Sequence, residues 1–258
     1  LDEAVITIDD ILVAHLDVAW DQEQLSHFDV IAPFARKLGR SLAEDFDSKL
    51  FVVGVLAAQS AAVTGIHNGG NVVQRVAASI AVAYPNDATG AGNFIADAGS
   101  LAQLLDADDV PEDGRYLFIT SYIRQILLNN TNIFSSDFTR RIEPNSLNPR
   151  AIGELAGFQV LITNHMPSTA ITTGPAKYQI DATAAGAGEG APVALALCGA
   201  QEGSAAIGYV AGTGKTGAIY SHMGFDERRN TTFLKSQMMV GAGIVAPWCA
   251  GEIHVDTA

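Results

Sequence analysis

One long amphipathic helix constrains the fold of this chain more than any other feature of its sequence. From residue 24 to about residue 58, apolar side chains recur every three or four positions, the spacing that places them on one helical face. Pro33 lacks a backbone N–H and would clash with a preceding turn, so we expect the regular helix to begin within a turn of Pro33 or to kink there. A helix of about thirty residues spans about 40–45 Å, more than twice the radius of gyration of about 18 Å expected for a compact chain of this length. We therefore expect it to be the spine of an elongated subunit.

The rest of the chain predicts a mixture of shorter helices and strands. Residues 4–19 combine β-branched, apolar and acidic side chains, which predicts a strand or an extended arm. Further helices are predicted over residues 71–84, 99–106 and 121–128, and strands over residues 115–119, 158–163, 193–197, 206–210, 233–240, 244–248 and 252–255. Residues 86–93 and 129–150 predict connecting segments, and residues 167–191 predict an exposed excursion. Because most strands follow the long helix and do not alternate with helices, the predicted class is α+β.

The chain is acidic, and its charge is unevenly distributed. It has 28 Asp and Glu against 15 Lys and Arg, and the resulting net charge of −13 is the wrong sign for neutralising phosphates. A sequence-reading DNA-binding function is therefore not expected. Residues 1–23 contain seven acids and no Lys or Arg, whereas bases gather later in the chain. A solvated surface is the commoner role of such a run, and the competing hypothesis is that acidic and basic faces of neighbouring copies meet.

The two cysteines and the apolar segments exclude several other classes. Cys198 and Cys249 lie in apolar stretches without CxxC or Cys/His spacing, which predicts buried thiols and neither a disulfide framework nor a zinc site. No apolar run reaches the roughly eighteen residues of a membrane span. The sequence begins at Leu1 without a basic and then apolar leader, so we expect no signal peptide and no secretion.

The best enzyme-like pattern is Gly-Thr-Gly-Lys-Thr-Gly over residues 212–217, which fits GxGxxG and ends like a P-loop. A P-loop requires a glycine where this chain has Tyr209, and it requires a following helix where residues 218–222 predict a strand. A dinucleotide site requires an acid about twenty residues later, and residues 231–237 contain none. A hairpin turn at Gly212 is favoured, and a nucleotide-dependent enzyme remains the alternative from another class.

No metal or catalytic constellation emerges from the other polar residues. The acidic run at residues 106–113 has Val110 and Pro111 where a calcium loop needs an oxygen ligand and a glycine, so a helix end and a turn are predicted there. The six histidines are scattered without the spacing of a metal site or a catalytic triad. We therefore predict no catalytic residue, no cofactor and no metal.

Several segments carry a resemblance through their order along the chain. They are His-Phe-Asp-Val to Leu-Gly-Arg-Ser-Leu over residues 27–42, Val-Pro-Glu-Asp-Gly-Arg-Tyr over residues 110–116, Gly-Phe-Gln-Val-Leu over residues 157–161, and the closing segment over residues 233–250. This order resembles the major capsid proteins of short-tailed, T-odd-like bacteriophages. The resemblance implies the Hong Kong 97 fold, with an extended loop over residues 1–21, a peripheral domain over 22–65 and 222–258, and an axial domain over 66–221. Such capsids have an N-terminal arm and half of the extended loop before the strand at Ile6, so we expect an upstream portion.

The resemblance implies a structural protein and not an enzyme. The expected subunit self-assembles as pentamers and hexamers into the icosahedral head of a virion, made in the host cytoplasm around double-stranded DNA. Portal, scaffolding and decoration proteins are the implied partners, and no membrane is involved. An encapsulin-like nanocompartment shell is the alternative within the same fold. As a hypothesis, the acidic arm of one copy contacts bases of a neighbour, with these candidate residues: Asp9, Asp10, Asp17, Arg140, Arg141, Arg228 and Arg229.

Overall fold

The computed structural model describes residues 5–8, 10–26, 31–64, 68–129, 153–180, 191–199, 205–212 and 219–256. The helices are α1 (Trp20–Leu25), α2 (Ile31–Ala58), α3 (Ile80–Ala83), α4 (Ala88–Ala107) and α5 (Ser121–Asn129). The strands are β1 (Asp10–Ala19), β2 (Asn71–Val76), β3 (Arg115–Ile119), β4 (Glu154–Leu155), β5 (Phe158–Ile162), β6 (Ala191–Cys198), β7 (Ile207–Ala211), β8 (Ile219–Asp226), β9 (Thr231–Ile244) and β10 (Ala250–Asp256). Short 3-10 turns lie at Ala176–Tyr178 and Pro247–Cys249.

The chain divides into two compact units. Unit 1 comprises Leu1–Ala4, Phe51–Gly208 and Ile244–Ala258, and unit 2 comprises Val5–Leu50 and Tyr209–Gly243. Helix α2 therefore contributes its first twenty residues to unit 2 and its last eight to unit 1. The three-part division into extended loop, peripheral domain and axial domain remains a prediction.

Unit 1 is built on a six-stranded mixed sheet in the order β2-β10-β6-β3-β5-β4. Strand β2 pairs in parallel with β10, β3 pairs in parallel with β5, and the other pairs are antiparallel. Helix α4 buries Phe94, Ala98, Leu101 and Leu105, whose spacings of four, three and four define one helical face. Removing these apolar surfaces from water is the main favourable term in the folding of unit 1.

Unit 2 is smaller and combines part of α2 with a four-stranded sheet. Strand β9 pairs antiparallel with β1 along ten residues and antiparallel with β8 along eight. A small apolar cluster joins Leu12 of β1, Leu42 of α2 and Val240 of β9, with Phe46 packed against it. The α2 face that carries Leu42 and Phe46 is thus held to the sheet by apolar burial.

Several predicted elements are confirmed. Helix α2 begins at Ile31, which places Pro33 in its first turn, where the missing N–H costs no hydrogen bond. Strands β1, β3, β5, β6, β8 and β10 and helix α5 lie where the sequence predicts them. Asp106 and Asp108 lie at the end of α4 and in the following turn, as predicted.

The predicted helix over residues 71–84 is wrong over most of its length. Residues Asn71–Val76 form β2, because they pair with Gly251–Asp256 of β10, which lies far away in the sequence. Only Ile80–Ala83 is helical, and Ser79 caps this short helix by accepting a hydrogen bond from the Val82 N–H. Local apolar spacing does not distinguish these cases, since a buried strand partner overrides helix propensity.

The predicted link over residues 86–93 is also wrong, because α4 begins at Ala88. Asp87 is its N-cap, and its carboxylate accepts hydrogen bonds from the N–H groups of Thr89 at 2.8 Å and Gly90 at 3.0 Å. The capping aspartate is a start signal visible in the sequence, outweighed in the prediction by the surrounding glycines.

Two predictions near the C-terminal half need smaller corrections. Residues 244–248 do not form a separate strand: β9 continues to Ile244, and the 3-10 turn at Pro247–Cys249 leads directly into β10. The predicted excursion over residues 167–191 is partly buried, because Tyr178 and Ile180 are 4% and 6% exposed and Ile171 pairs with Ile180. Of the predicted connection over residues 129–150, Asn129 is the last residue of α5, and residues 130–150 lie outside the described residues. None of the helices in the described ranges is both long and apolar enough to cross a membrane.

Candidate assembly surface

Asp10 and Asp17 lie on β1 in unit 2, seven residues apart and therefore on opposite faces of the strand. Asp10 forms an ion pair with Lys49 of α2, and both side chains are about one-fifth exposed, at 19% and 21%. Lys49 also lies 3.3 Å from Asp45, one turn earlier on the helix. Because this cluster is partly shielded from water, it joins β1 to α2 more firmly than a surface pair would.

Arg228 and Arg229 lie in the turn that joins β8 to β9. Arg229 approaches Asp17 at 3.8 Å and Asp226 at 4.0 Å, and the Arg229 side chain is 72% exposed. The backbone N–H of Arg228 donates to the Asp226 carboxylate at 2.9 Å, which stabilises the turn. Exposed pairs of this length contribute about 0–1 kcal/mol each, so these charges remain available to another molecule.

The candidate residues are therefore only partly brought together. Asp17 and Arg229 meet within one chain, whereas Asp10 meets Lys49, a residue that the sequence analysis did not single out. Lys49 lies on the same helical face as Leu42 and Phe46. The sequence therefore places a lysine on the apolar face of α2, where its charge needs an acidic partner. Asp9, Arg140 and Arg141 lie outside the described residues.

Exposed apolar side chains are concentrated in unit 2. Of the 21 large hydrophobic side chains that are exposed in the described residues, thirteen belong to this smaller unit. On β8, Ile219, Met223 and Phe225 are 55%, 59% and 49% exposed and point to the same face of the sheet. Contiguous exposed apolar surface is typical of protein–protein contact sites.

Two grooves flank the sheet of unit 2. The larger, about 570 Å³, is mainly apolar and lies between the first half of α2 and strands β8 and β9, with Leu38, Ile219 and Met223 among its lining residues. The second, about 450 Å³, lies on the opposite face and contains Asp17 and Arg229 together with Val13, His15 and Lys235. Apolar and charged contact surfaces are thus both available within this unit.

Arg115 organises the turn of unit 1 that contributed to the sequence resemblance. Its guanidinium donates to the carbonyls of Val110 and Pro111, the latter at 2.9 Å, and lies 2.8 Å from Asp106. The Arg115 side chain is only 3% exposed. The Val-Pro-x-x-x-Arg-Tyr pattern therefore has a structural reason: the planar fork of arginine ties the turn to the start of β3.

A second polar network joins β2 to helices α3 and α4. Arg75 donates to both carboxylate oxygens of Asp97 at 2.7 and 2.8 Å, and the Tyr84 hydroxyl donates to Asp97 at 2.7 Å. Burial and the neighbouring Asp97 raise the pKa of Tyr84 above its usual range, so the hydroxyl keeps its proton. This network positions structural elements and carries no group poised for chemistry.

Glu252 and His254 form an unusual buried pair on β10. Both side chains are fully buried, with Glu252 Oε1 3.7 Å from His254 Nδ1, and Gln59 donates to the other Glu252 oxygen at 3.0 Å. Burial raises the pKa of Glu252 to about 8 and lowers the pKa of His254. Both groups are therefore uncharged near neutral pH. Sequence reasoning did not identify them, because nothing local shows that β10 lies inside the sheet.

The described residues do not assemble a reactive centre. Cys198 and Cys249 are buried free thiols, as predicted, and burial raises their pKa values to about 12 and about 11. In the described part of the chain no group of three or more His, Cys, Asp or Glu could hold a metal ion. Of the glycine-rich pattern only Gly212 is described, and its N–H donates to the Met239 carbonyl at 2.9 Å as part of the sheet.

A protein-family model and several solved capsid structures are similar to this chain. A family model described as Gp10A-like, major capsid protein, matches residues 1–254. The capsid protein of cyanophage P-SCSP1u is similar with a TM-score of 0.78 and 22% identity, over 99% of this chain and 75% of that chain. The mature capsid of bacteriophage PhiM1 is similar with a TM-score of 0.72 and 16% identity, over 99% and 76%.

A virus-like particle from Pyrococcus furiosus is also similar, with a TM-score of 0.51 and 13% identity over 95% of this chain and 75% of that chain. At such identities the structural likenesses establish the fold, and they confirm the predicted α+β, Hong Kong 97-like class. No protein with a curated function matches this sequence significantly.

Proposed function

The chain belongs to the Gp10A-like major capsid protein family, and on this premise we propose that unit 2 carries the surface through which its copies join into a phage head. As a major capsid protein it forms, by self-assembly, the icosahedral shell of the virion. The observation that supports unit 2 as the contact surface is its excess of exposed apolar side chains. Burying such surface between copies drives association without any chemical step.

The finer features of the shell belong to the same proposal. We infer that the copies form pentamers and hexamers around double-stranded DNA, in the host cytoplasm, with portal, scaffolding and decoration proteins as partners. A net charge of −13 is compatible with a shell that encloses DNA without binding it tightly. We also infer no catalytic role for residues 212–217, and titration of the protein with nucleotides is the direct test.

Charged residues in and beside the second groove of unit 2 supply the specificity of the contact. Asp17 and Arg229 are exposed enough to exchange their pairing within the chain for pairing with a neighbour, and the exposed Arg228 lies beside Arg229 in the same turn. Each exchange contributes little, but a shell repeats it in every copy, and weak contacts become cooperative when they are multiplied. Asp10 is a weaker candidate, because Lys49 already neutralises it. Asp9, Arg140 and Arg141 remain hypotheses from the sequence.

The experiment that tests the function is negative-stain electron microscopy with light scattering on the purified full-length protein. Closed particles tens of nanometres across are the expected result, and a stable monomer or dimer under all assembly conditions would contradict the shell function. The ratio of ultraviolet absorbance at 260 and 280 nm then separates the two shell types. Particles from infected cells that contain DNA support the phage head, whereas particles that contain a cargo enzyme support the nanocompartment.

A further inference from the structure

A row of four charged side chains on α2 changes sign halfway along the helix. Arg36, Arg40, Glu44 and Asp47 follow one another at spacings of four, four and three, so they lie on one helical face within unit 2. Arg36 and Asp47 are exposed, and the side chains of Arg40 and Glu44 are 81% and 45% exposed. We call this row the charged stripe. It is basic toward the N-terminal end and acidic toward the C-terminal end.

The order of charges in the stripe does not serve the helix itself. The stripe lies outside the first and last turns of α2, where charges interact with the helix dipole, so the dipole does not account for its order of charges. The pair inside the stripe, Arg40 to Glu44 at 2.7 Å, has the base before the acid, which is the weaker orientation at this spacing. Within the described part of the chain, Arg36 and Asp47 form no ion pair. The stripe therefore fits a partner outside the helix.

The stripe is complementary to itself when two copies of it run antiparallel. Arg36 of one copy then faces Asp47 of the other, Arg40 faces Glu44, and a two-fold axis repeats both contacts. Residues 36–47 span about 16 Å, or three helical turns. A parallel arrangement would place like charges opposite each other and would be repulsive. Self-complementarity under a two-fold axis is the defining property of an isologous interface.

We propose that the charged stripe of α2 docks against the charged stripe of a second copy across a two-fold axis of the shell. This inference rests on the proposed shell function and names one of its contacts. Rings of subunits close through two different surfaces, whereas a contact between two rings across a two-fold axis is isologous. DNA is a poorer partner, because it would be attracted to Arg36 and Arg40 but repelled by Glu44 and Asp47 on the same face.

The test reverses one half of the stripe at a time and then both halves together. The first variant combines Arg36→Glu with Arg40→Glu, and the second combines Glu44→Arg with Asp47→Arg. The third variant contains all four substitutions and so exchanges the two ends of the stripe. Either half-reversal makes the stripe uniform in sign, and we expect it to lower the yield of closed particles about tenfold or more. The full exchange restores complementarity, and we expect it to return the yield to within about threefold of the wild type.

The controls separate this inference from folding and from the shell function. Glu112→Lys with Asp113→Lys changes two exposed acids of unit 1 and should leave the yield unchanged.

If the wild type forms no particles, the shell function fails. If the wild type assembles and either half-reversed variant assembles equally well, only the stripe contact is overturned. Failure of the full exchange to recover assembly also overturns it, with circular dichroism reporting the helix content. Normal particles with less packaged DNA from the first variant would assign the stripe to DNA and would likewise overturn the proposal.

Discussion

Arg115 shows how one buried side chain can hold a turn. Its guanidinium lies among the carbonyls of Val110 and Pro111 and the carboxylate of Asp106, and these partners offset the cost of burying its charge. Asp106 is 57% exposed and can return to water, whereas the carbonyls would lose their donor. The energetic importance of Arg115 therefore comes mainly from its backbone contacts.

We expect Arg115→Met to destabilise the subunit by about 2–4 kcal/mol, because it leaves buried carbonyls without a donor. Arg115→Lys should recover only part of this stability, since an ammonium group cannot donate to both carbonyls with the planar geometry of the guanidinium. Urea unfolding of dissociated subunits measures both. Arg40→Met is the matched control, because this arginine is 81% exposed and its loss should change stability by less than about 0.5 kcal/mol. An equal effect of the two Met substitutions would contradict the structural role of Arg115.

The Glu252 and His254 pair predicts a stability that depends on pH in two directions. In the unfolded chain Glu252 loses its proton near 4.5, whereas burial holds its pKa in the folded chain at about 8. Stability should therefore fall as the pH rises from about 4.5 to about 8. The lowered pKa of His254 acts in the opposite direction. Below about pH 6.5, His254 is protonated in the unfolded chain but stays neutral in the folded chain, so the stability also falls toward acidic pH.

We expect Glu252→Gln to remove the alkaline part of this dependence. The variant should be more stable than the wild type by roughly 1–3 kcal/mol at pH 8.5, and this advantage should vanish near pH 5. Urea unfolding across this pH range measures the difference. Glu112→Gln, at an exposed position, is the control and should leave the pH profile unchanged. A pH-independent effect of Glu252→Gln would contradict the raised pKa of Glu252.

At the scale of elements, α4 depends on how its first turn is capped. Asp87 satisfies two N–H groups that have no acceptor within the helix. Helix α4 in turn supplies Phe94, Leu101 and Leu105 to the core of unit 1. Loss of the cap at Asp87 should therefore also weaken the packing of α4 in the core of unit 1.

We expect Asp87→Ala to destabilise the subunit by about 1 kcal/mol, whereas Asp87→Ser, which retains an acceptor, should cost only a few tenths. Thermal or urea unfolding of the two variants gives the comparison. An Ala variant as stable as the wild type would show that the carboxylate hydrogen bonds contribute nothing to α4.

At the scale of the whole molecule, the exposed apolar side chains of unit 2 matter for assembly more than for folding. We expect Ile219→Thr to lower the yield of closed particles severalfold while changing subunit stability by less than about 0.5 kcal/mol, because Ile219 is 55% exposed. Light scattering during assembly measures the effect. Val76→Thr is the control: it also replaces an exposed β-branched residue at one end of a strand, 63% exposed, but it lies in unit 1 and should assemble normally. Equal loss in both variants would contradict unit 2 as the contact surface.

Much of the fold could be predicted from the sequence, because its signals are local. The helix α2 follows from apolar spacing within its own 28 residues, and the turn before β3 follows from Pro111 and Gly114, which has a positive φ of 80°. The buried thiols of Cys198 and Cys249 follow from their apolar neighbours. The order of such local motifs also sufficed to indicate the capsid family.

The tertiary structure decided what depends on residues far apart in the chain. Residues 71–76 become a strand because β10 offers a partner, and Glu252 and His254 become buried because β2 and β6 enclose β10. The pairing of Asp17 with Arg229 and of Asp10 with Lys49 likewise requires β1 to lie beside β9 and α2. Periodicity reports the local preference of each segment, whereas burial and pairing are set by the surfaces that distant segments present to it, and only the folded chain brings those surfaces together.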